Sequence, residues 1–497
     1  MELAREVEQA LAELSKSGAV EVQESGRRLA GQELQFEVRA ENSALLIHLW
    51  SDAESLVRRV VGIADQSAEH VVLEVRRFGY TRPARLEFKI AERERSAEQR
   101  MARARRAEFT SRFGQLLRET FPDETLDSLS ARDDLEHSLS DCYARGLMSR
   151  GSEAWAVVGV SAAESAATID ATLTAGLLWL DGAHDRSTAR TRTIAGLRLF
   201  LPKGAAHVTA HRMAALVSSL RVELYEVDEL RGEARRREPG DASNVATRLL
   251  PRREAEALLA AAAACVEPIV RLAPQVIRLS VAADGRSVAL RFRGLEFARW
   301  DAGGITFGLG DRTQPLTAAS RPRLEKLVRE LEAHRNPLAT DVKHRLYRAQ
   351  AERWLETLVQ EDPGRVDPRL DPGHIYSQVP AVSGGERGIL DLLGVTRDGR
   401  LAILELKADE ELHLVLQAAD YWLRVRSHQE RDDFRRCGYF QGIELQELPP
   451  RVYLVAPALR FHPANARLLR YLTREMEVIR VGVQENWRRG LRVSLRQ

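Results

Sequence analysis

Gly388-Ile-Leu-Asp-Leu-Leu-Gly-Val395 and Leu401-Ala-Ile-Leu-Glu-Leu-Lys407, with Arg397-Asp-Gly399 between them, are the runs on which the reading of this chain turns. The residues around their acids are apolar on both faces, as in strands of a sheet covered on both sides. A three-residue loop with Gly399 in the left-handed region pairs Thr396 with Arg400, and counting outward sets Asp391 opposite Glu405. Directly opposed residues share a face, and Lys407 follows Glu405 at the strand period of two. A two-residue loop would pair Asp391 with Leu406 and part the acids, so the three-residue loop is the expectation. Two acids and a lysine in strands this apolar are costly to bury without a partner. A divalent metal ion, with the ammonium beside it, would neutralise them.

Lysine is rare here. Of 74 Lys plus Arg, the lysines are only those at 16, 89, 203, 326, 343 and 407, about eleven arginines for each. An acid two residues before a lysine also occurs in Glu87-Phe-Lys89 and Asp341-Val-Lys343. The first alternates with Leu86, Phe88 and Ile90 and so belongs to the solvent face of a half-exposed strand. The second sits at a helix start, where Asp is favoured anyway. Only Glu405 and Lys407 lie in a strand apolar on both faces with an acid opposite.

Around this hairpin the chain reads as an α/β protein, α+β in its multidomain whole. Its 497 residues predict three or four domains, at roughly 100–200 residues each. Residues 1–91 read as an N-terminal α+β domain with helices at Met1–Lys16 and Asp52–Val61, and 92–122 as a basic connecting helix. Residues 123–231 read as an α/β domain with a helix at Leu135–Leu147, and 232–244 as a linker. Residues 245–336 combine an Ala-rich helix with a β-rich stretch. From 337 to 497 the order is α-β-β-β-α-β-α-β, opening with a helix at Thr340–Val359, which describes a mixed sheet flanked by helices.

Composition limits the function classes. Net charge is +2, so nucleic-acid binding needs local basic patches. The helix over 92–122 offers one, and it is either a solvated connector or an arm that meets phosphates through Arg103, Arg105 and Arg106. Cys142, Cys265 and Cys437 are far apart, which suggests neither a disulfide framework nor a zinc site and fits a reducing cytoplasm. No run approaches the ~18 apolar residues of a membrane span, and the N-terminus lacks the apolar core of a signal peptide. A cytoplasmic protein with no membrane role is the expectation. No Gly-rich turn is followed by Lys-Ser or Lys-Thr, so no nucleotide-binding loop is present. His207 and His211 share a helix face but lack a third ligand nearby, and read as structural.

The region from about Thr340 to Gln497 resembles the PD-(D/E)XK, or restriction-endonuclease-like, nuclease superfamily, through Asp391 and Glu405-Leu406-Lys407. It departs from that pattern at Leu390, where the family name has Pro. The family also draws an acid from the helix before the sheet; Glu352 and Glu356 lie four apart on one face there, and Glu356 is favoured. Gln417-Ala-Ala-Asp-Tyr421 matches the Q-x-x-x-Y of the RecB-type branch. The resemblance covers about a third of the chain, and residues 1–336 resemble no named family. It implies a metal-dependent nuclease cutting phosphodiester bonds, with DNA as the expected substrate and RNA the alternative. Asp391, Glu405, Glu356 and the Leu406 carbonyl would hold Mg²⁺ or Mn²⁺, hard ions suited to oxygen ligands. Lys407 would place the water or stabilise the phosphorane, with Gln417 and Tyr421 completing the site. The N-terminal regions would select the target or a protein partner. The rival reading is a nuclease fold used for nucleic-acid binding or scaffolding without turnover.

Overall fold

The computed structural model describes all residues except 1, 18–19, 25–26, 30–34, 42–43, 51–54, 68–69, 77–82, 91–92, 135–137, 188–191, 239–248, 283, 311 and 378–390. The described chain is a mixed α/β protein with four sheets, in two compact units. One comprises Met1–Ala242, Glu410–Leu416 and Phe461–Thr473, the other Ser243–Asp409, Gln417–Arg460 and Arg474–Gln497.

In the first unit, a seven-stranded antiparallel sheet is covered by the helix Glu2–Ser17, whose Val7, Leu11 and Leu14 are buried at helical spacing. The helix predicted at Asp52–Val61 is corrected from residue 55 on, where Ser55–Gln66 is a strand; residues 52–54 lie outside the described residues. Leu56, Arg58 and Val60 are buried at alternate positions, and Val57, Val60, Val61 and Ile63 are β-branched, so the period is two. Buried Arg58 is held by Glu24 at 2.7 Å. A second sheet of six strands is mixed, with Glu153–Val160, Thr193–Pro202 and Val222–Asp228 running parallel. The helix predicted at Leu135–Leu147 is also corrected. Tyr143–Arg150 is a strand paired with Glu153–Val160, and Gly146 lies so close to the neighbouring strand that a Cβ would stand 2.2 Å from the Ser128 carbonyl oxygen. The basic helix Arg93–Thr120 is no mere connector, because Phe113, Leu116 and Leu117 bury against the second sheet. Within the expected linker, Glu233–Arg237 is a strand paired with Val222–Asp228.

The second unit holds two sheets. The first of these is a five-stranded antiparallel meander from Ile277–Val281 to Arg312–Pro315, covered by the helices Arg252–Val270 and Arg321–His334. The other is a six-stranded mixed sheet in chain order. Leu401–Leu406, Arg451–Pro457 and Val478–Val483 run parallel at its centre, and every residue of Leu401–Leu406 is buried. The predicted helix Thr340–Val359 is broken into Arg345–Arg348 and Ala351–Glu361. Gln350 between them is left-handed, at φ 42°. Fully buried Arg335 reaches this break, its guanidinium donating to the carbonyls of Leu346 (3.0 Å), Ala349 (2.6 Å), Gln350 (3.3 Å), Phe292 (3.1 Å) and Arg293 (2.8 Å). Gly294 approaches the same helix, where a Cβ would stand 2.1 Å from the Arg353 carbonyl oxygen. The meander therefore grips the helix that carries Glu352, Arg353 and Glu356.

Candidate active site

The site grows from the hairpin. Thr396 N donates to Arg400 O at 2.8 Å, Gly399 is left-handed at φ 89°, and Leu392 pairs with Leu404 through Val395 with Leu401. The loop is the three-residue one, and a Cβ on Gly399 would stand 1.9 Å from the Glu444 carbonyl oxygen. Asp391 is one residue beyond the last of these pairs, which brings it opposite Glu405. Its Oδ2 accepts from Leu406 N at 3.0 Å. Gly388, Ile389 and Leu390 of the first run lie outside the described residues.

Glu405 is 2% exposed, deep among the leucines of its own strand. Lys407 Nζ stands 3.3 Å from Glu405 Oε1 and 3.7 Å from Glu352 Oε2. Glu405 Oε2 is buried with no hydrogen-bond partner among the described residues. Burial, then the Asp391 charge, pushes the Glu405 carboxyl well above the usual carboxylate range, against the pull of Lys407. Glu356 is buried too and is pushed up to about 7 by burial, with Arg353 opposing. Arg353 links the two ends of the cluster, 2.6 Å from Glu356 Oε2 and 3.3 Å from Asp391 Oδ1. Burial works against its charge, but Glu356 and Asp391 outweigh that and raise its pKa.

Tyr421 is brought to the same place. Its hydroxyl is pushed up by burial and then by the charges of Glu405 and Asp391, so the phenol stays protonated. Gln417 lies one turn before it on the helix Leu414–Glu430, its Oε1 buried without a partner among the described residues. Glu352, set second to Glu356 in the sequence, is the one that meets Lys407, and Arg353 was not singled out from sequence. Arg353 lies one turn before Glu356 on the same helix, so both side chains reach the same face.

The arginines of the basic helix divide. Arg103 and Arg105 are exposed. Arg106 is 7% exposed, with ion pairs of 2.7 Å to both Asp141 and Glu164, so its assignment to a phosphate-contacting arm is corrected: it is a structural cation of the second sheet. His211 is buried and His207 half-buried on the helix His207–Met213.

Among the described residues, no group of three or more His, Cys, Asp or Glu side chains is gathered closely enough to hold a metal ion. Arg353 stands between Glu356 and Asp391, and Lys407 between Glu352 and Glu405. The oxygens here of the kind that a hard cation takes are those of Asp391, of Glu405, whose Oε2 has no hydrogen-bond partner among the described residues, and the Leu406 carbonyl between Glu405 and Lys407 in the chain. No described helix is long and apolar enough to cross a membrane.

No family model and no curated protein matches the chain. Among solved structures, that of a repair endonuclease from Pyrococcus abyssi aligns at 23% identity and a TM-score of 0.19, covering 27% of this chain and 47% of that one. An EndoMS–dsDNA2 complex aligns at 17% identity and a TM-score of 0.17, covering 41% of this chain and 64% of that one. The chain thus spans about half of the first and under two-thirds of the second. TM-scores this low carry neither a fold nor an activity across to this chain.

Proposed function

We propose that this chain is a metal-dependent nuclease that hydrolyses phosphodiester bonds, with DNA as its substrate. The observation that carries the reading is the Glu405 carboxylate, buried in an apolar strand beside Asp391 and Lys407, with one oxygen that has no hydrogen-bond partner among the described residues. Burying such a group costs several kcal/mol unless a cation or a hydrogen bond compensates. In the immediate cluster, the carboxylates of Asp391, Glu405, Glu352 and Glu356 face two cations, Lys407 and Arg353.

Asp391 and Glu405, with the Leu406 carbonyl, would hold Mg²⁺ or Mn²⁺, and Glu356 would join from the helix. Bound there, the ion supplies polarisation of the phosphate and a lowered pKa for the attacking water. Lys407 presents a compact ammonium with three donors, which orients a water or meets the charge growing on the phosphate. Glu405 holds that ammonium in place at 3.3 Å. Tyr421 remains a hydrogen-bond donor at neutral pH, as does the Gln417 amide. The surrounding leucines exclude bulk water and strengthen each of these interactions. A binding or scaffold module has no use for so costly a set of buried charges, which favours turnover over that rival.

The experiment is incubation of the full chain with labelled single- and double-stranded DNA and RNA, with Mg²⁺, Mn²⁺ or EDTA. DNA cleavage that requires the metal is expected. Absence of cleavage under every metal condition contradicts the reading, and cleavage of RNA alone reassigns the substrate.

A further inference from the structure

Residues 93–237 and 351–496 trace the same path. Among the described residues each run begins with a helix, Arg93–Thr120 in one and Ala351–Glu361 in the other, and then lays down a sheet of six strands in chain order. Neighbouring strands run antiparallel, antiparallel, parallel, parallel and antiparallel in the first sheet. The second sheet repeats that sequence of directions. Helical crossovers fall at the same two places, between the third and fourth strands and between the fourth and fifth. The match extends to register: Leu197 with Val222 through Pro202 with Val227 in one sheet is Val452 with Val478 through Pro457 with Val483 in the other.

That register says which residues of the first run stand where the acids and the lysine stand in the second. Leu197 pairs with Ala156 and its counterpart Val452 pairs with Ile403, so Val158 takes the place of Glu405 and Val160 that of Lys407. Arg145 pairs with Val158 and so takes the place of Asp391, opposite Glu405. Arg145 is buried, donates to the carbonyls of Ser140 (3.1 Å) and Arg132, and lies over the Trp179 ring. Two valines offer no ligand oxygen, and a buried guanidinium repels a divalent ion. The two runs also meet through matching residues. Leu216 follows the helix His207–Met213 as Leu472 follows Ala464–Leu469, and each precedes the first residue of the next paired register, Val222 or Val478, by six positions. These leucines form an antiparallel bridge with each other, in which Val217 N donates to Tyr471 O at 2.9 Å and Thr473 N to Ala215 O at 2.8 Å. Both segments belong to the first compact unit. Asp181 adds to the seam, accepting from Arg470 at 2.9 Å and from the Tyr471 hydroxyl at 3.1 Å. A patch that meets its own counterpart is the isologous contact of a two-fold dimer, made here within one chain.

We propose that residues 93–237 are a second copy of the catalytic fold that has no metal centre, so that the chain stands in for a dimer with one centre instead of two and cuts a single strand of duplex DNA per encounter. This rests on the nuclease reading and adds the form of the product. A symmetric pair of nuclease folds carries two centres and can cut both strands of a duplex in one visit. Here the partner fold is covalently attached, and the residues at its centre are Arg145, Val158 and Val160. Scission of both strands then takes two separate visits.

The test has two readouts, and one of them needs no cleavage. Supercoiled plasmid in excess is incubated with the 497-residue chain and Mg²⁺ or Mn²⁺, and its products are followed in time. Nicked circles should accumulate first, with linear DNA arising only from them. Linear DNA formed directly from supercoiled plasmid, as fast as nicked circles, overturns the inference. The other readout is isothermal titration with Mn²⁺ alone. The double variant Asp391→Asn, Glu405→Gln should lose tight Mn²⁺ binding altogether, because no second centre remains to hold the ion. Its circular dichroism spectrum should match that of the wild type, since Glu405→Gln removes a buried charge. Tight Mn²⁺ binding that persists in the folded double variant reveals a further centre and overturns the inference. Absence of all cleavage strikes the nuclease reading, and the single-strand product with it. Cleavage of both strands at once strikes this inference and leaves the nuclease standing.

Discussion

Asp391 and Lys407 flank the same buried carboxylate, yet their replacements should fail differently. Asp391→Asn keeps an oxygen to accept from Leu406 N, a bond of 3.0 Å in the native site, so the hairpin should survive. It loses a charged ligand, however, and divalent-metal affinity depends on the charge count of the ligand set. Isothermal titration should show Mn²⁺ binding weakened by roughly tenfold or more, and cleavage should fall with it; native metal affinity would remove Asp391 from the ligand set. The acids and the lysine were legible in sequence because each is an anomaly: charged at strand spacing in an apolar run, and lysine where the chain otherwise uses arginine. Arg353 was not legible. An arginine on an amphipathic helix is ordinary, and its partner Asp391 comes from an element 38 residues away.

At the scale of elements, the helix break at Gln350 aims Glu352, Arg353 and Glu356, and Arg335 fixes that break. Arg335→Met removes a guanidinium that serves five carbonyls. It should cost about 3 kcal/mol or more in chemical denaturation, with activity lost in parallel; a change under about 1 kcal/mol would show that water replaces the guanidinium. Sequence gave no sign of this break, because the strong helix period of Ala351–Glu361 carried the prediction back through residues whose own hydrogen bonds turn aside. The misread strand Tyr143–Arg150 fails similarly, its pairing with neighbours outweighing weak local preference, whereas in Ser55–Gln66 the β-branched residues and the period of two were taken for a helix. In the first unit, the ring of His48 stands 5.9 Å from that of His462. Burial holds His48 down at about 4, helped by Arg39, and His462 at about 3, helped by His48, His413 and Arg467. Ala464 N donates to Nδ1 of His462 at 3.1 Å, as a neutral ring requires. With folded pKa values below the unfolded value of about 6.5, the unfolded chain takes up protons first as pH falls. Stability is therefore full above about pH 6.5 and lost progressively toward pH 4. Thermal midpoints measured from pH 7.5 to 4.5 should fall, and His48→Gln should flatten that fall; an unaltered slope would assign it to carboxylates instead.

Over the whole molecule, bulk charge says little about the substrate, since 74 basic residues meet 72 acidic ones. What matters is which cations face solvent. Arg103 and Arg105 are exposed on their helix, whereas Arg106 is buried between Asp141 and Glu164. Reversing Arg103 and Arg105 to Glu should weaken DNA binding and flatten its salt dependence without unfolding the chain, while Arg106→Ala should cost about 3–5 kcal/mol of stability. Unchanged binding in a salt titration would return the exposed pair to the role of a solvated helix face. The catalytic assignment rests on a lysine that acts on water or phosphate, and Lys407→Arg in the 497-residue chain tests it most directly. The substitution keeps the charge but puts a larger planar fork where a compact ammonium sits 3.3 Å from Glu405. Metal-dependent DNA cleavage should fall by at least ~100-fold, with Mn²⁺ affinity and the circular dichroism spectrum retained. Cleavage at the wild-type rate by a folded Lys407→Arg protein would make Lys407 a salt-bridge partner only and contradict the catalytic assignment.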